Sequence, residues 1–509
     1  MPEESTRESG GGLVDLGVIA AAVGLPLLLY LRTMAPTVYG LDSAELTAGA
    51  YLLGIVHAPG SPTYLLLGHL FTWLPFGDIG YRVNLLSAGS GALTAGFVYA
   101  ILWRLTRARL QSLAGALYLA TTYYFWVSAL AAELYALHAA FITGLVWLGM
   151  VWQETRRTTH LALLCFLYGL GLGNHLSLSV LAPGFLALVM CGMPDIWRRP
   201  RLLLTGAACM MAGGSVYLYL PLRAAAGVSM NYARDFGVDV TTWEGFWWMV
   251  SGSMFERQMF GVSLTALPWE LLQYFYRLWS NFLGLGCILG VIGLAANYDR
   301  PRQIHLPLLL MFLGHLLFAV TYAVADKELM LLPTFLFWGL WAVLGAREVA
   351  RYGQEYGGEV APLSAAVLLF VMALGNVIIN YTRVDISRDW SARNRGEVLL
   401  SWLPPDTLYL ASWSDAALID YLQYVEADRM DVDMLNTFLV RGPRRRARVE
   451  DQFRRGGATY ASAPVNLGRS FVFLLDETCN CYRVKRTDEP ACLAPPPPRH
   501  QSSATRRDE

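Results

Sequence analysis

The chain contains 509 residues, of which 55% are hydrophobic and 15% are charged, and its 39 basic residues balance its 39 acidic residues. A soluble domain carries roughly 25% charged residues, so this composition excludes an ordinary soluble enzyme. The zero net charge gives no indication of a nucleic-acid partner. Long apolar runs, several close to the roughly 20 residues that cross a bilayer, predict an all-α polytopic membrane protein.

Eleven apolar segments are predicted to span the membrane. They lie near residues 13–32, 83–103, 110–129, 137–153, 160–175, 177–192, 202–221, 270–296, 305–324, 329–346 and 360–380. The first could also be a cleaved signal, but no A-x-A site follows it, so it is interpreted as an uncleaved span. Arginine clusters follow alternate segments, and the positive-inside rule places these loops in the cytoplasm. The N-terminus is therefore expected inside and the C-terminus outside.

The run Thr63–Phe76 decides how these charges are assigned. Its roughly 14 residues are short for a membrane span. If it crossed the membrane, the cluster Arg104–Arg109 would face outward and every later cluster would invert. We therefore expect a juxtamembrane or re-entrant helix on the outer side.

The composition changes from Tyr381 onward, where charge rises and the apolar runs shorten. A transmembrane domain over residues 1–380 is thus expected to precede a small extracytoplasmic α/β domain over residues 381–494. Residues 495–509 begin with four prolines and are expected to form a disordered tail. The elements predicted in the α/β domain are strands at Thr407–Ser412, Val432–Asn436 and Phe471–Leu475 and a helix at Trp413–Ala427.

Three cysteines, Cys479, Cys481 and Cys492, cluster near the end of the chain. They lack the four-ligand pattern of a structural zinc site. If this end lies outside the cytoplasm, one disulfide with one remaining thiol is an open alternative.

The first predicted outer segment, from Gly40 to Pro62, contains Asp42, Glu45 and His57. Titratable side chains at a membrane boundary are costly unless they do chemistry, bind an ion or face water. Asp42 and Glu45 are three residues apart, so in a helix both carboxylates would share one face. The alternative is a solvated loop in which these carboxylates cap a helix.

Other polar groups are predicted on the same side of the membrane. They are Glu133, Tyr135 and His138 at the end of one span, Asn174 and His175 within an apolar hairpin, and Arg223 after another span. Singly, each could be a solvated, packing or snorkelling residue. The tryptophans after Arg223, at positions 243, 247 and 248, could form an interfacial belt or a substrate platform. Unrelated solvated residues would scatter over both sides, so the shared side favours one site.

This combination of side chains suits group transfer at a membrane surface. A carboxylate could activate a hydroxyl, and an arginine could hold an anionic leaving group. The sequence shows neither a P-loop nor a Rossmann fingerprint after a predicted strand. A transporter or lipid flippase would also carry intramembrane polar residues, although these would gather near the midplane. An inactive scaffold that displays the α/β domain is a third alternative.

Five motifs in order resemble one protein family. They are GLDSAELTAGAYLLGIVHAPGSPTY, YRVNLLSA, FWVSALAAELYALHAAF, GLGLGNHLS and YLYLPLR, and PPDTLYLASWSDAALIDYLQYVEADRMDV near the end is also similar. The family is a long-unnamed transmembrane family of the GT-C glycosyltransferase superfamily, whose eukaryotic members are protein O-mannosyltransferases of receptor ectodomains. The resemblance runs from about Thr37 to Arg223 and more loosely onward. One motif departs from the family, because Ala58 stands where the family usually has proline.

The resemblance implies a GT-C fold with an extracytoplasmic active site, and we expect the protein in the plasma membrane. The implied donor is a polyprenyl-phosphate-linked sugar, with mannose the best candidate, and the acceptor is a protein hydroxyl or a glycan. Asp42, Glu45 and Glu133 take the catalytic positions, and transfer is expected to invert the anomeric carbon. The expected substrate-binding residues are His57, Tyr135, His138, Asn174, His175 and Arg223. No cofactor is required, although a divalent metal between the carboxylates is an open alternative.

Overall fold

Helices dominate the computed structural model, which describes residues 4–296, 302–324, 327–357 and 361–487. Two compact units divide the chain, residues 1–393 and residues 394–509, and each is described by itself. The first unit contains the long apolar helices, and the second contains a β-sheet. The expected tail, residues 495–509, and Cys492 lie outside the described residues.

The helices α1–α18 of the first unit follow each other with short connections. Their bounds are α1 Glu4–Thr33, α2 Asp42–Leu52, α3 Pro62–Thr72, α4 Ile79–Thr106, α5 Arg109–Ala120, α6 Tyr123–Ser128, α7 Leu134–Thr155, α8 Thr158–Leu172, α9 Ala182–Gly192, α10 Pro200–Gly214, α11 Tyr219–Ala225, α12 Tyr232–Phe236, α13 Trp243–Val250, α14 Leu267–Asn281, α15 Leu285–Ala296, α16 Arg302–Thr321, α17 Leu332–Gly357 and α18 Ala361–Val384. Short 3₁₀ segments lie at Leu176–Leu181, Ile196–Arg198, Ser215–Leu218, Ser253–Phe255 and Leu329–Leu331.

Seven helices in the described part of the chain are long and apolar enough to cross a membrane. They include α1, α4, α7, α16, α17 and α18, and the seventh is α10 with its continuation to Ala225. The prediction of an all-α multi-pass membrane protein is therefore confirmed. The predicted count of eleven spans stays a prediction, because α8 and the segment Leu176–Gly192 are shorter apolar helices.

The predicted span 270–296 is not one straight helix. It divides into α14 and α15, whose axes are bent by 104°. Leu283 and Gly284 adopt positive φ angles of 53° and 68° at the break. Large aromatic side chains on α14, including Trp269 and Trp279, are exposed. Apolarity alone could not distinguish this surface helix from the start of a span, because both are rich in large apolar residues.

Helix α3 has only 11 residues, Pro62 to Thr72. At 1.5 Å per residue it is about 16 Å long, roughly half the hydrocarbon thickness. It is not among the candidate spans found in the described residues. This length agrees with the predicted juxtamembrane or re-entrant helix.

Small residues let neighbouring helices approach closely. A Cβ atom at Gly169 in α8 would collide with the carbonyl oxygen of Met210 in α10, and one at Gly213 would collide with that of Phe166. Gly169 and Gly213 thus let α8 and α10 pack closely, which is the usual use of small residues in membrane bundles.

The second unit contains helices α19 Ser391–Trp402, which begins just before it, α20 Trp413–Glu426 and α21 Gly442–Arg454. Its strands are β1 Leu408–Ala411, β2 Asp433–Asn436, β3 Thr459–Ala461, β4 Phe471–Asp476 and β5 Cys481–Arg486. The sheet order is β2-β1-β3-β5-β4. Strand β1 runs parallel to β2 and β3, whereas β5 runs antiparallel to β3 and β4. The small α/β domain is therefore confirmed, and a disulfide joins Cys479 to Cys481.

Candidate active site

Helix α2 carries the first two candidate residues at its start. The helix begins at Asp42, directly after Leu41, which adopts a positive φ of 56°. Asp42 is partly exposed, whereas Glu45, one turn later, is fully buried. Glu45 is not a solvated capping residue, because its buried carboxylate binds a residue of the following loop.

That partner is His57. Its backbone N–H donates to Glu45 Oε1 over 2.6 Å, and its ring Nδ1 lies 3.0 Å from Oε1 and 2.9 Å from Oε2. Backbone and side chain of one residue thus bind one buried carboxylate. Two such bonds fix both the path of the loop and the orientation of the imidazole, which leaves the ring edge that carries Nε2 for other contacts.

The loop around His57 is held by close packing. The Gly60 N–H donates to the His57 carbonyl oxygen over 2.8 Å. Gly60 has a φ of 89°, and a Cβ there would meet Leu220 at 2.7 Å. The chain thus turns between His57 and Gly60 although Ala58 stands where the family usually has proline. Phe255 packs edge-on against the His57 ring at 5.9 Å.

Neighbouring carboxylates act electrostatically on the pair of Glu45 and His57. Burial raises the pKa of the Glu45 carboxyl, and the charge of His57 opposes that rise. Burial also lowers the pKa of His57, but the charge and hydrogen bond of Glu45 outweigh it, with further help from Asp42 and Glu133, so the pKa rises to about 9. Asp42, Glu45 and Glu133 therefore all act on one imidazole.

Glu133 reaches this region from the start of α7. Its backbone is fixed by Ser87 of α4, whose hydroxyl accepts from the Glu133 N–H over 3.2 Å and donates to its carbonyl over 3.3 Å. Asn84, one turn earlier in α4, accepts from the Ala132 N–H over 2.8 Å. Glu133 also acts electrostatically on the buried Tyr64 of α3. Helix α4 thus positions the second acidic motif.

An aromatic cluster continues from Glu133 along α7. The ring of His175 lies 4.8 Å from that of His138 and 5.6 Å from that of Tyr135. Ser177 joins the two histidines, because its hydroxyl lies 2.8 Å from His175 Nδ1 and 3.1 Å from His138 Nε2. His57 and His175 also lie within electrostatic range of each other. The structure thus gathers these predicted residues around one region.

Asn174 and Arg223 both bind backbone carbonyl groups near the site. The Asn174 side chain is buried and donates to the Leu134 carbonyl over 3.2 Å, so it anchors the start of α7. Arg223 donates through Nε to the Leu53 carbonyl over 2.7 Å and through Nη2 to the Leu52 carbonyl over 3.1 Å. The guanidinium thus holds the end of α2, and its expected contact with a phosphate stays a prediction.

Sequence reasoning missed several residues that build the site. Tyr219 donates to the Gly54 carbonyl over 2.7 Å, and Ile55 pairs with the backbone of Asn231 in an isolated parallel bridge. Ser177, whose hydroxyl joins His138 and His175, was missed as well. Tyr219 lies in the YLYLPLR motif and Ser177 in GLGNHLS, so the motifs carried a signal for them. Nothing in the sequence indicated the bridge between Ile55 and Asn231, because Asn231 lies in a long connection.

Three side chains of the site could hold a metal ion. Ligand atoms of Asp42, Glu45 and His57 all lie within 4.8 Å of one another. Two carboxylates and one imidazole are a donor set that suits a divalent cation with open coordination positions. The residues therefore fit such an ion, although Glu45 and His57 are also satisfied by each other.

The chain is similar in sequence to proteins of known name. Residues 42–195 match the family model of the Protein O-mannosyl-transferase TMEM260 N-terminal domain. Protein O-mannosyl-transferase TMEM260 of Mus musculus is 26% identical over 451 residues, which cover 80% of this chain and 61% of that protein. The corresponding protein of Dictyostelium discoideum is 21% identical over 466 residues, covering 80% and 56%. The chain thus spans about three fifths of the length of these curated relatives.

Solved structures match the fold over nearly the whole chain. ArnT from Cupriavidus metallidurans bound to undecaprenyl phosphate superposes with a TM-score of 0.60 at 14% identity, covering 94% of this chain and 98% of that one. Its apo state gives a TM-score of 0.58 at the same identity and coverage. The predicted GT-C fold and the resemblance to the protein O-mannosyltransferase family are therefore confirmed.

Proposed function

We propose that the protein is a membrane glycosyltransferase that moves a sugar, with mannose the best candidate, from a polyprenyl-phosphate carrier to an acceptor hydroxyl.

 The proposed acceptor is a protein hydroxyl, and transfer inverts the anomeric carbon. The observation that carries the proposal is the cluster of Asp42, Glu45 and His57, whose ligand atoms lie within 4.8 Å of one another. The likeness to protein O-mannosyltransferases supports the choice of sugar and acceptor.

Asp42 is the proposed general base or acceptor-orienting group. It is the partly exposed carboxylate of the cluster, whereas Glu45 is fully buried against His57. The acceptor oxygen would attack the anomeric carbon from the face opposite the phosphate. As the bond from that carbon to the phosphate oxygen breaks, its electron pair stays with the phosphate, and Asp42 takes the hydroxyl proton.

His57 is the proposed contact to the phosphate leaving group. Glu45 binds both the backbone N–H and the ring Nδ1 of His57, so the ring is oriented before the substrate arrives. Glu133 contributes further negative charge beside it. Arg223 acts as a positioning residue, because it holds the end of α2 through the carbonyl groups of Leu52 and Leu53.

A divalent cation remains an alternative part of this site. Asp42, Glu45 and His57 are the residues that would hold it, and when bound it would supply positive charge for the phosphate. The roles given above to these side chains concern only the acceptor proton and the orientation of the leaving group.

An apolar cavity supports a lipid-linked donor. Its volume is about 240 Å³, and it lies between α4, α7 and α8, with Phe97, Phe141 and Trp147 among its lining residues. Leu137, which also lines it, directly precedes His138 of the candidate site. An apolar space that begins beside the polar cluster suits a lipid chain whose phosphate lies among the polar groups.

The proposed location is the plasma membrane, with the N-terminus in the cytoplasm and the candidate site and second unit outside it. The arginine clusters between alternate apolar segments support this orientation. A lipid-linked donor is consistent with it, because the energy of transfer would then come from the donor itself, without a nucleotide at the outer surface.

Purified full-length protein in lipid nanodiscs provides the test. Polyprenyl-phosphate mannose and other polyprenyl-phosphate sugars would be offered with a mixture of acceptor proteins, and mass spectrometry would follow both products. We expect hexose on acceptor hydroxyls together with free polyprenyl phosphate. Failure of every donor to yield both products would contradict the proposal, and lipid movement without transfer would favour a flippase.

Matched variants separate catalysis from folding in this assay. The double variant Asp42→Asn with Glu133→Gln should abolish transfer because it removes both carboxylate charges. Asp239→Asn, an exposed aspartate that bonds the nearby Thr241, should transfer at the wild-type rate. Equal activity in all three proteins would show that the product arises from a contaminating enzyme.

A further inference from the structure

A second cavity lies at the far end of α4, where the chain turns into α5. Its volume is about 550 Å³, and it reaches the start of α18. Its polar lining comes from Arg107, Arg109 and Gln111, and its apolar lining includes Trp103 and Leu363. The cavity is therefore amphiphilic, with cationic groups and apolar surface in one space.

The position of this cavity relative to the candidate site follows from one continuous helix. Ser87 of α4 bonds the Glu133 backbone at the candidate site. Arg107 caps the same helix 20 residues later, which corresponds to about 30 Å at 1.5 Å per residue. This length is close to the thickness of the hydrocarbon core, so the cavity lies at the opposite headgroup level.

The turn that carries the arginines is well fixed. Arg107 adopts a φ of 56° and its N–H donates to the Trp103 carbonyl over 2.9 Å. The Ala108 N–H donates to the Thr106 hydroxyl over 3.2 Å, and that hydroxyl lies 3.1 Å from the Ser112 hydroxyl. A fixed turn presents the charges of the two arginines at a constant depth.

The chemistry of the cavity indicates an anion with an apolar body. The guanidinium carbon of Arg107 lies 5.7 Å from the centre of the Trp103 ring, so the charge is oriented by stacking. The first-turn N–H groups of α5 have no intrahelical acceptors, and the Ala108 methyl group offers none, so the start of α5 adds positive potential. Leu110 and Leu363 are each 54% exposed beside these groups, where acyl chains could pack.

We propose that this cavity binds the phosphate headgroup of an anionic phospholipid on the membrane side opposite the candidate site. The amphiphilic lining favours a lipid over free phosphate, because apolar surface contributes nothing to binding an inorganic ion. Basic pockets between membrane helices are known to select such headgroups. The site is distinct from the polar cluster proposed to hold the donor phosphate, which lies about 30 Å away along α4.

Native mass spectrometry of the full-length protein tests the proposal. The protein would be released from nanodiscs of phosphatidylcholine that contain a small fraction of phosphatidylglycerol, with and without inorganic phosphate. We expect retained phosphatidylglycerol, with affinity reduced about fivefold in Arg107→Gln and about thirtyfold when Arg109→Gln is added, because each cation near the surface contributes roughly 1 kcal/mol. Inorganic phosphate at millimolar concentration should not displace the lipid.

The control is Arg198→Gln, an exposed arginine of another predicted cytoplasmic loop, which should retain the lipid as the wild type does. Thermal unfolding in phosphatidylcholine alone checks that each variant is folded. Wild-type retention by the folded double variant, or an equal loss in Arg198→Gln, would overturn the proposal. Displacement by inorganic phosphate would show that the cavity binds a free anion, and the proposal of a lipid site would then be wrong.

Discussion

Two ion pairs at opposite ends of the helical unit have similar chemistry but different surroundings. Glu45 and His57 have side chains that are 0% and 12% exposed, whereas those of Glu154 and Arg104 are 50% and 20% exposed. A buried charge pays a large desolvation penalty, so an isolated buried pair persists only with additional bonds. The backbone N–H of His57 supplies such a bond, and this difference indicates that the buried pair is part of an organised site.

The largest effect is expected from the partly exposed neighbour of the buried pair. Asp42→Asn should reduce transfer by about 100- to 10,000-fold, because a positioned base contributes that much to the rate. Folding and donor binding should change little, because the substitution preserves shape. Turnover with saturating donor, together with binding of radiolabelled donor, measures both properties. Wild-type turnover would remove Asp42 from the catalytic role.

Breaking the buried pair itself should affect stability as well as activity. Glu45→Gln leaves His57 without its charged partner, and disrupting a buried pair typically lowers the free energy of unfolding by about 3–5 kcal/mol. We expect a lower melting temperature in nanodiscs and weaker use of the lipid-linked donor. A variant with unchanged melting temperature and unchanged donor KM would show that the pair does not organise the loop.

Arg223 should give a smaller effect, and its pattern distinguishes the two roles considered for it. Arg223→Lys keeps the charge but loses the fork that binds the carbonyl groups of Leu52 and Leu53. Losing a hydrogen bond from a charged group typically lowers stability by about 1.5–3 kcal/mol. Because α2 positions the whole cluster, kcat should fall, and kcat/KM should fall to a similar extent for the donor and for the acceptor. A selective rise of the donor KM would support the predicted contact with phosphate.

The sequence allowed prediction of most of the fold because apolar length and period report directly on membrane helices and buried strands. The helix α20 and the strands β1, β2 and β4 were predicted close to their observed bounds. Strand β3 has only three residues and β5 is rich in charge, so neither gave a recognisable period. The break between α14 and α15 was missed because both helices are apolar.

The candidate site was predicted less completely than the fold. Asp42, Glu45 and His57 lie within 16 residues of one another, so their motif could suggest that they act together. The partners of Arg223 are about 170 residues away in the chain, and a single sequence gives no signal for such a contact. The roles assigned to these side chains stay predictions until the variants are measured.

The smallest effect is expected at the exposed pair, which makes it the control for the buried one. Glu154→Gln removes the partner of Arg104, but exposed ion pairs contribute only about 0–1 kcal/mol because water screens the charges and the side chains lose entropy. Arg104 also lies 6.0 Å from the centre of the Trp147 ring, so its guanidinium keeps a second contact. We expect a melting temperature close to that of the wild type and unchanged transfer. A loss as large as that of Glu45→Gln would mean that burial does not distinguish the two pairs, and the argument for an organised site would then rest on the geometry around His57 alone.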